Sequence, residues 1–349
     1  MRKNYFERVH EATLTRFWIN NPTTKEAHLA IENSAINCTT NPTYAGKMLK
    51  NDEMREIALG WIREALTETD DEIIAASLVQ RKAVKHLLDI YAPLFEKAPY
   101  RHGFVSLQSD PLLEDDPQNI INEALETRSL GANVLAKIPV TVAGLEAIDF
   151  LVRKNIAIIA TEIMSIAQVI AACETYKKAS EESGFAPAYF VTNIAGIFDD
   201  CLRMQNEAGK ISVDPDILFQ AGTALGRKQY RIMTDRGYPG VMLGGGARGL
   251  HHFTEFVGGN AHITINWKNS ADKLLANDEP VICRMDTPTP DYVIDTLISR
   301  VPDFARAYLT DGLTPEEFST FAPVELFRSQ FISGWNVLLD EIKAVKAQL

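Results

Sequence analysis

Lys137 stands alone in the apolar run NVLAKIPV (residues 133–140). Period-two alternation in a strand points it to one face and its neighbours Ala136 and Ile138 to the other. An unpaired buried ammonium costs several kcal/mol, unless the amine gives up its proton or is used. A desolvated amine can attack a ketone, and the resulting iminium is an electron sink for C–C cleavage. The plainer assignments are a snorkelling side chain and a buried ion pair.

Other polar residues end similar β-like runs: Asn20, then Thr39, Thr40 and Asn41, then Gln108 and Asp110, Thr161 and Glu162, Thr192 and Asn193, Gly244 to Arg248, and Asn266. A lysine among hydroxyls and amides suits Schiff-base chemistry. Glu162 and Asp110 are candidates for proton transfer, set against an outward ion-pair partner for Glu162 and a helix cap for Asp110. Gly244, Gly246 and Gly249 have GxGxxG spacing, which fits a dinucleotide loop or an anion-binding turn at a helix start. His251 and His252 are adjacent, so they point about 100° apart on a helix and lack the i, i+4 geometry of a metal pair. No metal is expected.

Eight β-like runs must position these residues: 16–20, 35–40, 104–109, 133–140, 156–163, 188–195, 240–245 and 262–267. Amphipathic segments such as GLEAIDFLVRKN alternate with them, the sign of βα units around a parallel sheet. Eight such strands predict a (β/α)₈ TIM barrel, in which chemistry sits at the C-terminal strand ends. The expected organisation is one domain over 1–349: a barrel core at 15–280, a helical insertion of two or three helices at 42–103, and C-terminal helices at 285–349. Phe327, Phe331, Trp335 and Leu338 form a stripe that would pack on the barrel or cover its mouth.

The 349 residues are 46% hydrophobic and 23% charged, an ordinary globular balance. A net charge of -11 with scattered Lys and Arg leaves no footprint for nucleic acid. No long uncharged apolar stretch and no leader-like N-terminus are visible, so a cytoplasmic protein without membrane contact is expected. Cys38, Cys173, Cys201 and Cys283 lie far apart with no CxxC pair and are expected as reduced core thiols.

TTNPTYAGKM (39–48) with AKIPVT (136–141) is similar to the TTNPS and IKIPAT signatures of the transaldolase family. SIAQ (165–168) resembles that family's SFAQA, and GGGAR (244–248) takes the place of GASFR. The resemblance covers about 15–280 and implies a cofactor-independent enzyme acting on a small sugar. It implies Lys137 as the Schiff-base nucleophile, Asn41 as a substrate hydroxyl contact, Thr161 as a partner in positioning water, and Arg248 as a phosphate binder. Asn20 and Gln108 join Lys137 and Thr161 as catalytic candidates; Thr40, Thr192 and Gly246 join Asn41 and Arg248 as substrate-binding candidates.

The departures matter as much. FWINNP puts Asn20 where the family has an aspartate, and VSLQSDPLL puts Gln108 where transaldolases have a glutamate, as in the fructose 6-phosphate aldolase branch. Ile159 replaces the asparagine of the family's NLT, and Ile197 replaces an arginine that helps hold phosphate. Neutral amides orient substrate but do not exchange protons as carboxylates do. The expected reaction is C–C bond cleavage or formation in a ketose-type substrate other than a standard sugar phosphate: a shorter or unphosphorylated polyol ketone, or a sugar acid or sulfonate held by Arg248 with Arg328 as a second candidate. The alternatives are a non-catalytic sugar-phosphate binder and a nicotinamide-dependent oxidoreductase. Oligomeric state is open, a homo-oligomer included.

Overall fold

The computed structural model describes residues 3–349. Eight strands run β1 Arg16–Asn20, β2 Asn37–Thr39, β3 Val105–Gln108, β4 Val134–Pro139, β5 Ile158–Thr161, β6 Tyr189–Asn193, β7 Val241–Gly244 and β8 Ala261–Ile265. Each is parallel to the next and β8 closes on β1, so the sheet is a barrel. Each strand falls on an expected run but is generally shorter, because the run ends leave the ladder for turns. Thr40, for instance, bonds Ser106 through its side chain and amide rather than continuing β2.

Period two then sets the height of every inward side chain. Trp18, Ile36, Phe104, Leu135, Ile159, Phe190 and Leu243 cluster as an apolar plug inside the barrel. Trp18 meets Phe190 edge to face at 4.8 Å and donates from Nε1 to His262 Nδ1 at 3.1 Å. Two residues after Trp18, Leu135, Ile159 and Phe190 come Asn20, Lys137, Thr161 and Thr192. The plug is therefore the floor on which the polar layer stands.

Three helices fill the β2–β3 connection: Tyr44–Leu49, Arg55–Glu68 and Glu72–Lys97. Asp71 caps the last, accepting from the amides of Ile73 and Ile74. The C-terminal helix Ala322–Lys346 buries Phe327, Phe331, Trp335, Leu338 and Ile342, the stripe seen in the sequence. It crosses Tyr44–Leu49 almost backbone to backbone. A Cβ on Gly46 would sit 2.8 Å from the Gly334 carbonyl oxygen, and one on Gly334 2.5 Å from Thr43 Cγ2. Only glycine fits at either crossing point.

Cys38, Cys173 and Cys201 are buried free thiols as expected, but Cys283 is exposed, lying in an irregular segment beyond β8. Among the described residues no helix is long and apolar enough to cross a membrane.

Candidate active site

The C-terminal strand ends surround a cavity of ≈ 360 Å³, with Lys137 at its base. Lys137 is 7% exposed, and its Nζ donates to the Thr40 carbonyl at 3.3 Å. Burial brings its pKa down to about 8, with Lys47 adding to the fall and Glu162 opposing it. About a tenth of the amine is then free at pH 7. Thr161 and Thr192 line the same cavity, and their hydroxyls have no hydrogen-bond partner among the described residues.

Local sequence explains why these groups hold still. Thr141 caps the Val142–Arg153 helix by accepting from the Gly144 amide, which ends β4 just past Pro139. In SIAQ, Ser165 caps the Ile166–Ser183 helix, while Gln168 Nε2 donates to the carbonyls of Val140 and Glu162, both at 3.0 Å. That one amide ties the end of β4 to the end of β5. Asn41 Oδ1 accepts from the Thr43 amide and hydroxyl, so its amide nitrogen is turned to the cavity it lines.

The remaining sequence candidates divide. Asn20, Asn41, Lys137, Thr161, Thr192, Gly246 and Arg248 all line the cavity. Asn20 is already committed on both sides, to Asn266 at 2.9 Å and Thr39 at 3.0 Å. Thr40 departs from the substrate-binding expectation: it is buried, its hydroxyl donates to the Ser106 carbonyl at 2.6 Å, and its contribution is the carbonyl facing Lys137. Gln108 is buried beside Lys137 on the ladder but not on the cavity wall, and its Nε2 donates to Glu162 Oε1 at 2.7 Å.

Glu162 is therefore not an outward ion-pair partner. It is fully buried, and its backbone adopts a left-handed φ of 61° that swings the side chain toward β3. Burial holds its carboxyl above the usual range, against the Gln108 hydrogen bond and the Lys137 charge. Asp110 caps a turn rather than a helix, Oδ1 accepting from Leu112 at 2.8 Å; the following helix has its own cap in Asp116.

Arg328 also departs from expectation. Its guanidinium is held by Glu114 and Asp115, both at 2.8 Å, and it does not line the cavity. The cations at the mouth are Lys47, Lys50 and Arg248. The two lysines escaped the sequence reading although they sit three apart around one helix end, the spacing that puts side chains on one face. Burial lowers the Lys47 pKa, and the Arg248 charge lowers it further. Arg248 is braced by Asp200 at 2.6 Å, and Ile197 fills the wall beside it.

Asp199, His251 and His252 bring nitrogen and carboxylate atoms within 4.8 Å of one another. Both nitrogens of His252 are already used, Nε2 with Asp199 at 2.9 Å and Nδ1 as acceptor from the amides of Arg248 and Gly249. The pair fixes the Arg248 loop. The helix after the glycines is only His251–Thr254, and the sheet is closed, so the open-sheet crevice and long helix of a dinucleotide fold are missing among the described residues.

A family model described as Transaldolase/Fructose-6-phosphate aldolase matches residues 17–284, most of the chain and all eight strand ends. The chain belongs to this family. Relatives include the transaldolase of Mycobacterium ulcerans (strain Agy99), 26% identical over 209 residues, 56% of this chain and 54% of the relative. The transaldolase of Thermobifida fusca (strain YX) is 25% identical over 205 residues, 57% of this chain and 55% of the relative. That of Helicobacter pylori (strain HPAG1) is 35% identical over 128 residues, 31% of this chain and 40% of the relative. The chain spans about half the length of the first two relatives. Membership in the transaldolase/aldolase family accords with a buried lysine on β4 at a barrel mouth. This member is divergent, and its cavity carries an amide at Asn20 with Lys47, Lys50 and Arg248 around it.

Proposed function

We propose that this chain forms a Schiff base between Lys137 and the carbonyl of a ketose-type substrate, and makes or breaks the C–C bond one carbon removed from it. The observation that carries this reading is the buried Lys137 amine, with a pKa near 8, facing the unpartnered hydroxyls of Thr161 and Thr192 in one cavity. The free amine adds to the carbonyl carbon and water leaves, giving an iminium. As the hydroxyl beside the scissile bond gives up its proton, the bonding pair flows toward nitrogen and an enamine remains.

In this reading Lys137 is the nucleophile, with Thr161 and Thr192 orienting the water and hydroxyl groups that exchange protons. Asn41 binds a substrate hydroxyl, Asn20 holds Asn266 and Thr39 in the wall, and Gly246 and Arg248 hold the far end with Lys47 and Lys50. The expectation of a substrate other than a standard sugar phosphate rested on Ile197 standing where the family resemblance implies a second arginine. With three cations at that end, charge no longer argues against phosphate, and the substrate is an anionic ketose: a phosphate, sulfonate or carboxylate.

A non-catalytic binder is the second reading, favoured by the amides at Asn20 and Gln108. Borohydride reduction in the presence of fructose 6-phosphate, dihydroxyacetone or a sulfonated ketose, read by intact mass, separates the two. The enzyme reading expects a covalent adduct with at least one of them; a binder gives none.

A further inference from the structure

Asn20 and Gln108 put neutral amides at the ends of β1 and β3, yet a buried carboxylate stands just past the end of β5. Glu162 follows Thr161 directly, is fully buried, and spends an uncommon left-handed backbone conformation to point its side chain across to β3. Gln108 Nε2 holds Oε1 at 2.7 Å, while Oε2 has no partner among the described residues. A purely structural glutamate would be expected to satisfy both oxygens.

The charges around it are few and specific. Lys137 on β4 and Arg328 on the C-terminal helix are the cations that draw on Glu162, and the Lys47 charge acts on Lys137. From the loop after β3 come Glu114 and Asp115, and from the C-terminal helix comes Arg328, which holds both of them. Burial lifts both carboxyls above the usual range, with the Glu162 charge adding to the rise of Glu114 and the Asp115 charge to that of Glu162.

Resting on the Schiff-base reading above, we propose that Glu162, held by Gln108 behind the cavity wall, is a positioning carboxylate that takes up and returns the proton of Lys137 through one intervening water during imine formation. The ammonium gives one proton through that water to the Glu162 carboxylate. The neutral amine forms the C–N bond as the carbonyl π pair moves to oxygen, and a proton passes from nitrogen to that oxygen. Glu162 returns its proton through the same water to the new hydroxyl, which departs as water while the nitrogen lone pair closes the C=N bond. Charge balances: an ammonium and a carboxylate at the start, an iminium and a carboxylate at the end.

The test is the rate of borohydride-trapped adduct formation with a keto sugar, followed from pH 5.5 to 9.5 in wild type, Glu162→Gln and the exchanged pair Gln108→Glu/Glu162→Gln. Glu162→Gln keeps the hydrogen bond from Gln108 but removes the charge. Its plateau rate is expected to fall about a hundredfold, and its pH midpoint to move down because Lys137 loses its counter-charge. The final extent of adduct stays near wild type, since the lysine is intact. The exchanged pair restores the rate to within about tenfold. An unchanged plateau and midpoint in Glu162→Gln overturns this role while leaving the Schiff base standing; no adduct in wild type overturns both. Should Glu162→Gln not fold, the exchanged pair decides, and a folded exchanged pair that forms adduct more than a hundredfold slower contradicts the proposal.

Discussion

Lys137 Nζ lies 5.8 Å from the centre of the Phe331 ring, the amine rising from β4 and the ring coming down from the C-terminal helix. The C-terminal helix thus reaches the amine at the base of the cavity. Desolvation of the amine depends on that ring, because the helix bearing it also presents Phe327, Gln330 and Val337 to the cavity. Phe331→Ala is expected to admit water, raising the pH midpoint of adduct formation above about 8. It should also destabilise the fold by about 3 kcal/mol. Chemical denaturation and the trapping pH profile check both; an unmoved midpoint would mean that the barrel alone desolvates the lysine.

Replacing the lysine should stabilise. Above about pH 10.5 the amine is neutral whether folded or unfolded, so burial imposes no charge penalty. As pH falls from about 10.5 to about 8 the unfolded chain takes up a proton that the buried site refuses, and stability is lost, on the order of 3 kcal/mol by pH 8 and below. Lys137→Met is therefore expected to melt higher than wild type at pH 7, the gap narrowing between pH 8 and 10.5. A gap independent of pH would show that the amine is not desolvated.

Much of this was legible in the chain. Period-two runs marked every strand, the apolar plug and the inward polar layer follow from the same alternation, and Phe327, Phe331 and Trp335 announced a packed helix by their spacing. The roles of Thr40, Gln108, Glu162 and Arg328 were not, for a shared reason. Each depends on a partner more than fifty residues away: Ser106, Glu162, Gln108 and Glu114 respectively. The direction of Glu162 also turns on one left-handed residue, for which glutamate gives no signal. Lys47 and Lys50 were legible by helical spacing, but nothing in the sequence shows which face of that short helix meets the mouth.

Those lysines give a prediction about the anionic end. Lys50→Gln is expected to raise KM for an anionic ketose by about tenfold to a hundredfold, the loss of one charge-assisted contact, with kcat little changed. For dihydroxyacetone, which carries no anion, KM should not move. Ile197→Arg, at the wall beside Arg248, should lower KM for the anionic substrate alone. Equal effects on charged and uncharged substrates would place the anion elsewhere.

The most direct measurement is to reduce the protein with borohydride in the presence of a keto sugar and locate the added mass by peptide mapping, in wild type and in Lys137→Met. A Schiff-base enzyme working through this cavity gives one adduct, on the peptide containing Lys137, and the variant gives none while remaining folded. An adduct that persists in Lys137→Met, or that maps to Lys47 or Lys50 in the wild type, would contradict the account.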